Sequence, residues 1–540
     1  MCSLKAKSNS TMRRSCLTFS LLFSLLLSGK AQSGAQEQSG TLPQEHVQKM
    51  KAASGGSKWD AVTLITADGE KESFGLTGKF HSVEEVSTGF FKSRADYGLL
   101  ANAEGLDRAG RWRQDNSGQV HPLDSEEAQA VAISDAYLAR RGYFFPGRVV
   151  ASFKTLDAIT EYGRRFDRVE VTPRNGRAIA LWIDPATHLL DRVVVELSEG
   201  SKTVRYADYR RVEGLLLPFK ITSEYRDDLD TGTATIAAYR VSTVTAEKEP
   251  ERPAAQSSDT SIAGGVLETS AKGYLDPDIS LYILAAKIDG KGPYLFVVDT
   301  GGHNILTPGM SRELGLTVVG NGFTTGAGSG STKTQFTKVK TLSIGDAVMS
   351  DQPFTIMDFG FPMITDDGKQ QPIAGILGLE LFERFAITLD YKSRTATLQT
   401  PSHFTCHGNA LAVPIRFTSD MPLAVATLDG HSGSFGIDTG NNTDLIVFPH
   451  WAVANQLGDR YEKGNKMKSS SVGGNVELTL AGAKSFQIAG QELGPISVML
   501  ASDNAGSLSA LSEADNIGNS ILSRFTVTFD YRSEIMCLQP

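Results

Sequence analysis

Along the first part of the chain, apolar residues recur at helical spacing and then at every second position. The stretch PQEHVQKMKAASGG, starting at residue 43, predicts a short amphipathic helix stopped by Gly-Gly. DSEEAQAVAISDAYLARRG predicts a second helix, opening on Asp124 and Ser125 and ending at Gly142. From about residue 149, apolar and polar positions alternate between turn residues, as in RAIALWIDPATHLLDRVVVEL and LLLPFKITSEYRDDLDTGTATIAAYRV. That alternation predicts an antiparallel meander, so residues 42–245 read as one domain of strands and helices. TAEKEPERPAAQSSDTSIAGG has charge, then Ala, Ser and Pro, and no apolar period, which predicts a linker over 246–265. Beyond it the texture changes to short strands with many glycines, as in all-β domains.

The remaining residues contain a repeat. FVVDTGGHNIL at 296 answers FGIDTGNNTDLIVF at 435, and GILGLELFERFAITLDYKSRTATLQTP at 375 answers NIGNSILSRFTVTFDYRSEIMCLQP at 516. Asp299 and Asp438 are 139 residues apart, and Gly378 and Gly518 are 140 apart. Arg384-Phe385 pairs with Arg524-Phe525 at the same period, as Asp390-Tyr391 does with Asp530-Tyr531. Markers recurring at one period indicate a tandem duplication, with units over 266–401 and 402–540.

Composition narrows the class. A chain of 540 residues is too long for one ordinary core, and 40% apolar with 21% charged residues is the balance of a soluble globular protein. The net charge of −8, without a dense Lys/Arg block, argues against nucleic acid or an anionic membrane as partner. Lys5, Lys7, Arg13 and Arg14 precede the apolar run Leu17 to Leu27, and small residues follow near Ala31, Ser33 and Ala35. This pattern predicts a secretory signal peptide over 1–35, started at Met1 or Met12, and hence an exported protein, periplasmic or secreted. The run is too short to span a bilayer and no later segment reaches that length. Removal of the signal takes Cys2 and Cys16 with it. The remaining Cys406 and Cys537 either close one disulfide or stay as two buried thiols.

Asp-Thr-Gly occurs three times. The copy at 230–232 sits among Asp227 and Asp228 without an apolar strand leading into it, and reads as a hairpin tip. The copies Asp299-Thr300-Gly301 and Asp438-Thr439-Gly440 each follow an apolar strand and precede another apolar step. A carboxylate in that setting needs hydrogen bonds or a partner. Gly301 and Gly440 allow a tight turn that aims a backbone N–H at the carboxylate, and Thr300 and Thr439 supply hydroxyls able to tie two loops together. An apolar-Gly element follows each copy, 79 residues after Asp299 and 80 after Asp438.

On these residues, together with Ile376-Leu377-Gly378 and Asn516-Ile517-Gly518, the region from about 270 to 540 resembles a two-lobed aspartic protease of the pepsin/retropepsin-like clan, bacterial type. The resemblance implies one catalytic aspartate per lobe, Asp299 and Asp438, on duplicated all-β, double-psi β-barrel-like lobes. It implies that the segments at Gly378 and Gly518 thread behind the catalytic loops, and that neither metal nor cofactor is needed. Asn516 departs from it, standing where an apolar residue is usual, as do Gly302 and His303 after the first triplet. GFTTGAGSGST, with Gly326, Ala327 and Gly328 at its centre, predicts a flap hairpin over the cleft in retropepsin style, and SSSVGGNVELTL occupies the comparable place in the second unit. LWIDPATHLLDRVVV followed by YADYRRVEGLLLPFKI resembles the half-barrel of periplasmic lipoprotein-carrier proteins. The fold class expected is therefore mainly β, with an α+β half-barrel-like domain before the two lobes.

Other chemistry is weaker. Asp438, Asn441, Asn442 and Asp444 have the composition of a calcium loop but lack its Gly and distal Glu. His303, His403, His407, His431 and His450 show no metal-ligand spacing and read as surface or loop residues. The sequence thus predicts an aspartic endopeptidase acting on peptides or proteins. The alternatives are a non-catalytic envelope protein binding an apolar lipid or acyl ligand through its N-terminal domain, and a propeptide-like role for that domain.

Overall fold

The computed structural model describes residues 42–540 apart from 198–199, 226–229, 245–249, 251, 255–258, 276–279, 329, 359, 361–362, 367–368, 402–403 and 503–505. The export-signal expectation, with Cys2 and Cys16, lies outside the described residues, as do Asp227, Asp228, His403 and part of the 246–265 segment. No helix among the described residues is long and apolar enough to cross a membrane. The chain is mainly β.

The first expected helix is Pro43–Ser54, with proline at its start and Gly55 at its C-cap. The second runs Glu126–Ala139, and Ser125 Oγ caps it by accepting from Ala128 N at 3.1 Å. It stops short of Gly142 because Arg141 turns left-handed, with φ 53°. Thirteen antiparallel strands form a single sheet. Six precede the second helix, between Leu64 and Leu123, and seven follow it, between Ala151 and Ser242. The last strand, Asp230–Ser242, pairs with the first, Leu64–Ser73, joining the two runs in mid-sheet. The helix Glu126–Ala139 touches both Gly110–Gln114 and Arg164–Pro173, strands from opposite halves of that sheet. The sheet therefore curves around it as a half-barrel. Met50, Trp59, Val169, Leu181, Val193 and Leu215 are among the core residues between helices and sheet.

The repeat becomes two lobes of one plan. In the first, Lys291–Val298 leads into Asp299, and Ile373–Leu377 runs parallel to it, pairing Val298 with Leu377. In the second, His431–Ile437 leads into Asp438, and Asp515–Ile517 runs parallel to it, pairing Ile437 with Ile517. Each parallel strand also pairs antiparallel with the strand after its Asp-Thr-Gly loop, Ile305–Leu306 or Leu445–Val447. The lobes join where Ala386–Asp390 pairs with Thr526–Asp530. There Thr388 faces Thr528, its copy 140 residues on, with the hydroxyls 2.8 Å apart. A period in sequence has become a pseudo-two-fold axis in space. Cys406 and Cys537 form a disulfide with Cα atoms 6.0 Å apart, and Cys537 lies in the final strand Ile535–Gln539.

Candidate active site

The two Asp-Thr-Gly loops of the lobes meet on the axis. Thr300 N donates to Thr439 Oγ1 at 3.0 Å and Thr439 N donates to Thr300 Oγ1 at 2.9 Å. Each hydroxyl then donates across the interface, Thr300 Oγ1 to Ile437 O and Thr439 Oγ1 to Val298 O, at 2.7 and 2.8 Å. Both threonines are fully buried, so these bonds compete with no water. The glycines make room for the opposite carboxyl. A Cβ at Gly440 would stand 2.6 Å from Asp299 Cγ, and one at Gly301 would stand 3.3 Å from Asp438 Cγ. The segments behind the loops are equally tight: a Cβ at Gly378 would overlap Gly302 O, and one at Gly518 would overlap Thr443 O.

The carboxyl groups of Asp299 and Asp438 are brought together on the axis, each lying against the glycine of the opposite loop. Burial, followed by the Asp438 charge, pushes the Asp299 carboxyl up to about 8. Burial also raises Asp438, but three donors hold its carboxylate: Gly440 N at 2.8 Å, Asn441 N at 3.1 Å and Asn516 Nδ2 at 2.9 Å. Asp299 accepts from Gly301 N at 2.8 Å. Asn516, the departure from an apolar residue, thus breaks the symmetry of the pair in favour of charge on Asp438. Asn441 donates its Nδ2 to Asn516 Oδ1 and its Oδ1 accepts from Thr443, so the calcium-like composition here is spent on the loop itself.

The expected flap is the hairpin of Val319–Thr325 and Ser331–Ile344, with Gly326, Ala327 and Gly328 at its tip. The hairpin Asn465–Ser471 and Gly474–Ala483 of the second lobe meets it. Gly328 N donates to Val472 O and Gly330 N to Gly473 O, both at 2.9 Å. The two tips therefore close on one another. The third Asp-Thr-Gly belongs to the half-barrel: Asp230 begins the mid-sheet strand Asp230–Ser242 and pairs with Tyr225.

Sequence reasoning missed a polar chain beside the dyad. His303, read as a surface or loop histidine, sits on the first Asp-Thr-Gly loop between two carboxylates. Its Nδ1 is 2.9 Å from Glu380 Oε1 and its Nε2 is 3.1 Å from Asp420 Oδ2. Glu380 also accepts from Asn304 N at 2.7 Å, and Asn304 Oδ1 accepts from Gly378 N at 3.2 Å. Arg113 of the half-barrel donates to both Asp420 oxygens at 3.0 Å. Burial opposes charge on His303, but Glu380 and Asp420 outweigh it and hold its pKa well above the ordinary value. No local signal marks this chain, since His303 and Asp420 are 117 residues apart and Arg113 and Asp420 are 307 apart.

Two cavities adjoin these elements. One, of about 230 Å³, lies inside the half-barrel against Met50, Trp59, Phe144, Tyr206 and Tyr239, where an apolar ligand was expected. The other, of about 730 Å³, lies between half-barrel and first lobe and is bordered by His303, Glu380, Phe323 and Arg113.

Residues 284–381 match the sequence profile of a family described as aspartyl protease. That span holds Asp299 and Gly378 and relates the first lobe to proteases. No curated protein matches the chain. Among solved structures the chain is similar to a LolA superfamily protein from Nitrosomonas europaea, at 14% identity over 38% of this chain and 94% of that one, TM-score 0.27. It is also similar to a retropepsin-like aspartic protease from Rickettsia conorii, at 18% identity over 24% of this chain and 89% of that one, TM-score 0.20. The Pseudomonas aeruginosa MucA/MucB complex is a further similar structure, at 12% identity over 59% of this chain and 94% of that one, TM-score 0.14.

Proposed function

We propose that the chain is an exported aspartic endopeptidase in which Asp299 and Asp438 activate a water to hydrolyse peptide bonds. The observation that carries this reading is the pair of carboxyls brought together by two loops that lock each other through Thr300 and Thr439, each carboxyl lying against the glycine of the opposite loop. Two carboxyls brought together in this way do not both ionise, so they share one proton. The donors around Asp438 favour the charge there and leave the proton on Asp299.

The roles follow. The oxygen of a bound water attacks the peptide carbonyl carbon as Asp438 takes one of its protons. Asp299 gives its proton to the carbonyl oxygen, forming a neutral tetrahedral diol. Asp438 then protonates the amide nitrogen as the C–N bond breaks, and a diol proton returns to Asp299 as the new carboxyl forms. The closed hairpins exclude bulk water during these steps and open to admit the peptide. A binding scaffold has no use for two half-buried acids brought together with their pKa values raised, which favours the peptidase over a non-catalytic envelope protein. The signal-like pattern of residues 1–35 and the Cys406–Cys537 disulfide support export to an oxidising compartment, periplasmic or secreted.

Cleavage of a peptide library by the purified chain tests this. Asp299→Asn or Asp438→Asn is expected to reduce kcat/KM by about 10³-fold or more, a pepstatin-type inhibitor to block the wild type, and Asp230→Asn to cleave normally. Cleavage persisting in both of the first two variants rules the dyad out.

A further inference from the structure

The half-barrel reaches the catalytic loops through one short segment of the second lobe, residues 418–421. Asp124 N and Ser125 N donate to Phe417 O at 3.0 and 3.1 Å, and Thr418 Oγ1 donates to Ser125 Oγ at 2.9 Å. The start of the second helix thus fixes where this segment begins. Arg113, from the strand Gly110–Gln114, holds its middle through Asp420. From there the segment touches the first catalytic loop at two points. Asp420 holds His303, and the Met421 methyl would stand 2.6 Å from a Cβ on Gly301. His303 in turn holds Glu380, whose other oxygen binds Asn304 N beside the Gly378 segment. An unbroken row of side chains therefore runs from the half-barrel, across the second lobe, to both walls of the loop carrying Asp299.

Resting on the peptidase reading, we propose that Arg113 is a positioning residue for hydrolysis: through Asp420 and His303 it holds the Asp299 loop against the Asp438 loop. The half-barrel is then a working part of the active site rather than an appendage. The row is charge-balanced, with Arg113 and His303 alternating with Asp420 and Glu380. The Arg113 and His303 charges outweigh burial and hold Asp420 below the usual carboxylate range. Glu104, Asp115, His121, Glu383 and Arg384 are further ionisable groups around it. Removing Arg113 leaves Asp420 bound to His303 but without its anchor in the half-barrel, and a misplacement of the dyad by about 1 Å is sufficient to slow the chemical step.

The test uses the full chain with Arg113→Met, Arg113→Lys, Asp420→Asn and the pair Arg113→Met/Asp420→Asn. Arg113→Met and Asp420→Asn are each expected to lower kcat about tenfold or more with KM changed less than about threefold. The pair should be no worse than Asp420→Asn alone, because both break one row, and Arg113→Lys should recover part of kcat. Carbon-13 NMR of the aspartate carboxyls supplies a readout independent of activity. The wild-type carboxyl titrating at about 8 should move down in Arg113→Met and Asp420→Asn as the pair separates. If the wild type cleaves no peptide, the peptidase reading fails while the carboxyl titration still decides the positioning. Should Arg113→Met not fold, Asp420→Asn and Arg113→Lys make the same comparison. Unchanged kcat, multiplicative losses in the double variant, or a titration that stays at about 8 in these variants overturns the proposal.

Discussion

Asn516 takes the place that Ile376 holds in the first lobe, and exchanging an apolar side chain for an amide changes which aspartate bears the charge. Its Nδ2 reaches Asp438 Oδ2 at 2.9 Å, and the first lobe shows no equivalent donor to Asp299 among the described residues. A hydrogen bond to a charged acceptor contributes about 1.5–3 kcal/mol, and 1.36 kcal/mol corresponds to one pKa unit. Asn516→Leu disfavours the ionised form of Asp438, so its pKa rises. The acidic limb of the kcat/KM profile should therefore move up by about one to two pH units. The basic limb belongs to the proton on Asp299 and should fall off near 8 in both proteins. An acidic limb unmoved in Asn516→Leu would mean that Asp438 is not the base. At this scale the sequence was most readable where a group and its supports are adjacent, as in Asp299-Thr300-Gly301. Asn516 could be noticed only as a departure, and His303 gave no sign of Glu380 or Asp420, because their pairing exists only after the lobes fold.

Secondary elements were legible in proportion to their apolar contrast. The repeat reported both lobes because each strand before Asp-Thr-Gly ends in apolar, buried residues: KGPYLFVV buries its last four and HSGSFGI its last three. The meander after residue 149 was legible too, since IALWI alternates buried and half-buried positions. The strands before the second helix were not singled out: LITADGEKES and LTGKFHSVEE mix charge with apolar residues and pack by position in the sheet rather than by pattern. Yet the turn between these two strands makes a contact that matters for the flap. Phe74 O accepts from Asn321 N at 2.7 Å, and the Phe74 ring lies 5.6 Å from that of Phe336 in an edge-on arrangement. The half-barrel therefore braces the base of the flap while the second lobe engages its tip. Such an aromatic pair contributes about 0.5–1.5 kcal/mol beyond its area, equivalent to a roughly two- to tenfold change in an opening equilibrium. Phe74→Ala is expected to speed amide hydrogen exchange over residues 319–336 by that factor and to leave the strand Tyr282–Ile288 unchanged. Equal exchange in variant and wild type would show that the brace does not hold the flap.

The whole molecule is joined through buried polar groups, and this gives its stability a pH dependence. Residues 115–121 face the segment just after Gly378: Arg384 donates to Ser117 O at 3.0 Å and to Asp259 at 2.5–2.9 Å, and His121 Nδ1 lies 2.7 Å from Glu383 Oε1. Such a junction is invisible in sequence, because DNSGQVH reads as turn residues until its partner surface is known. Within it, burial, then the Asp115 charge, hold Glu383 well above its ordinary value of 4.5. Burial raises Asp115, but the neighbouring Glu383 carboxyl, the Arg384 charge and the Ser117 hydroxyl outweigh it and hold it lowered. The folded chain therefore keeps a proton on Glu383 that the unfolded chain releases above about 4.5. Stability is full below that pH and falls as pH rises toward the folded pKa, by about 1.4 kcal/mol per unit for one such group. Asp299 adds the same sign up to about 8, whereas the lowered Asp115 acts only below its ordinary 3.8, outside this window. Glu383→Gln keeps the size and polarity of the side chain beside Asp115 and His121 but has no proton to lose. Its melting temperature should be close to wild type at pH 5 and higher than wild type at pH 8, with Asp299 still producing a residual decline in both. Parallel declines in the two proteins between pH 5 and pH 8 would show that Glu383 is ionised in the fold, and that the half-barrel is joined to the lobes by some other balance of charge.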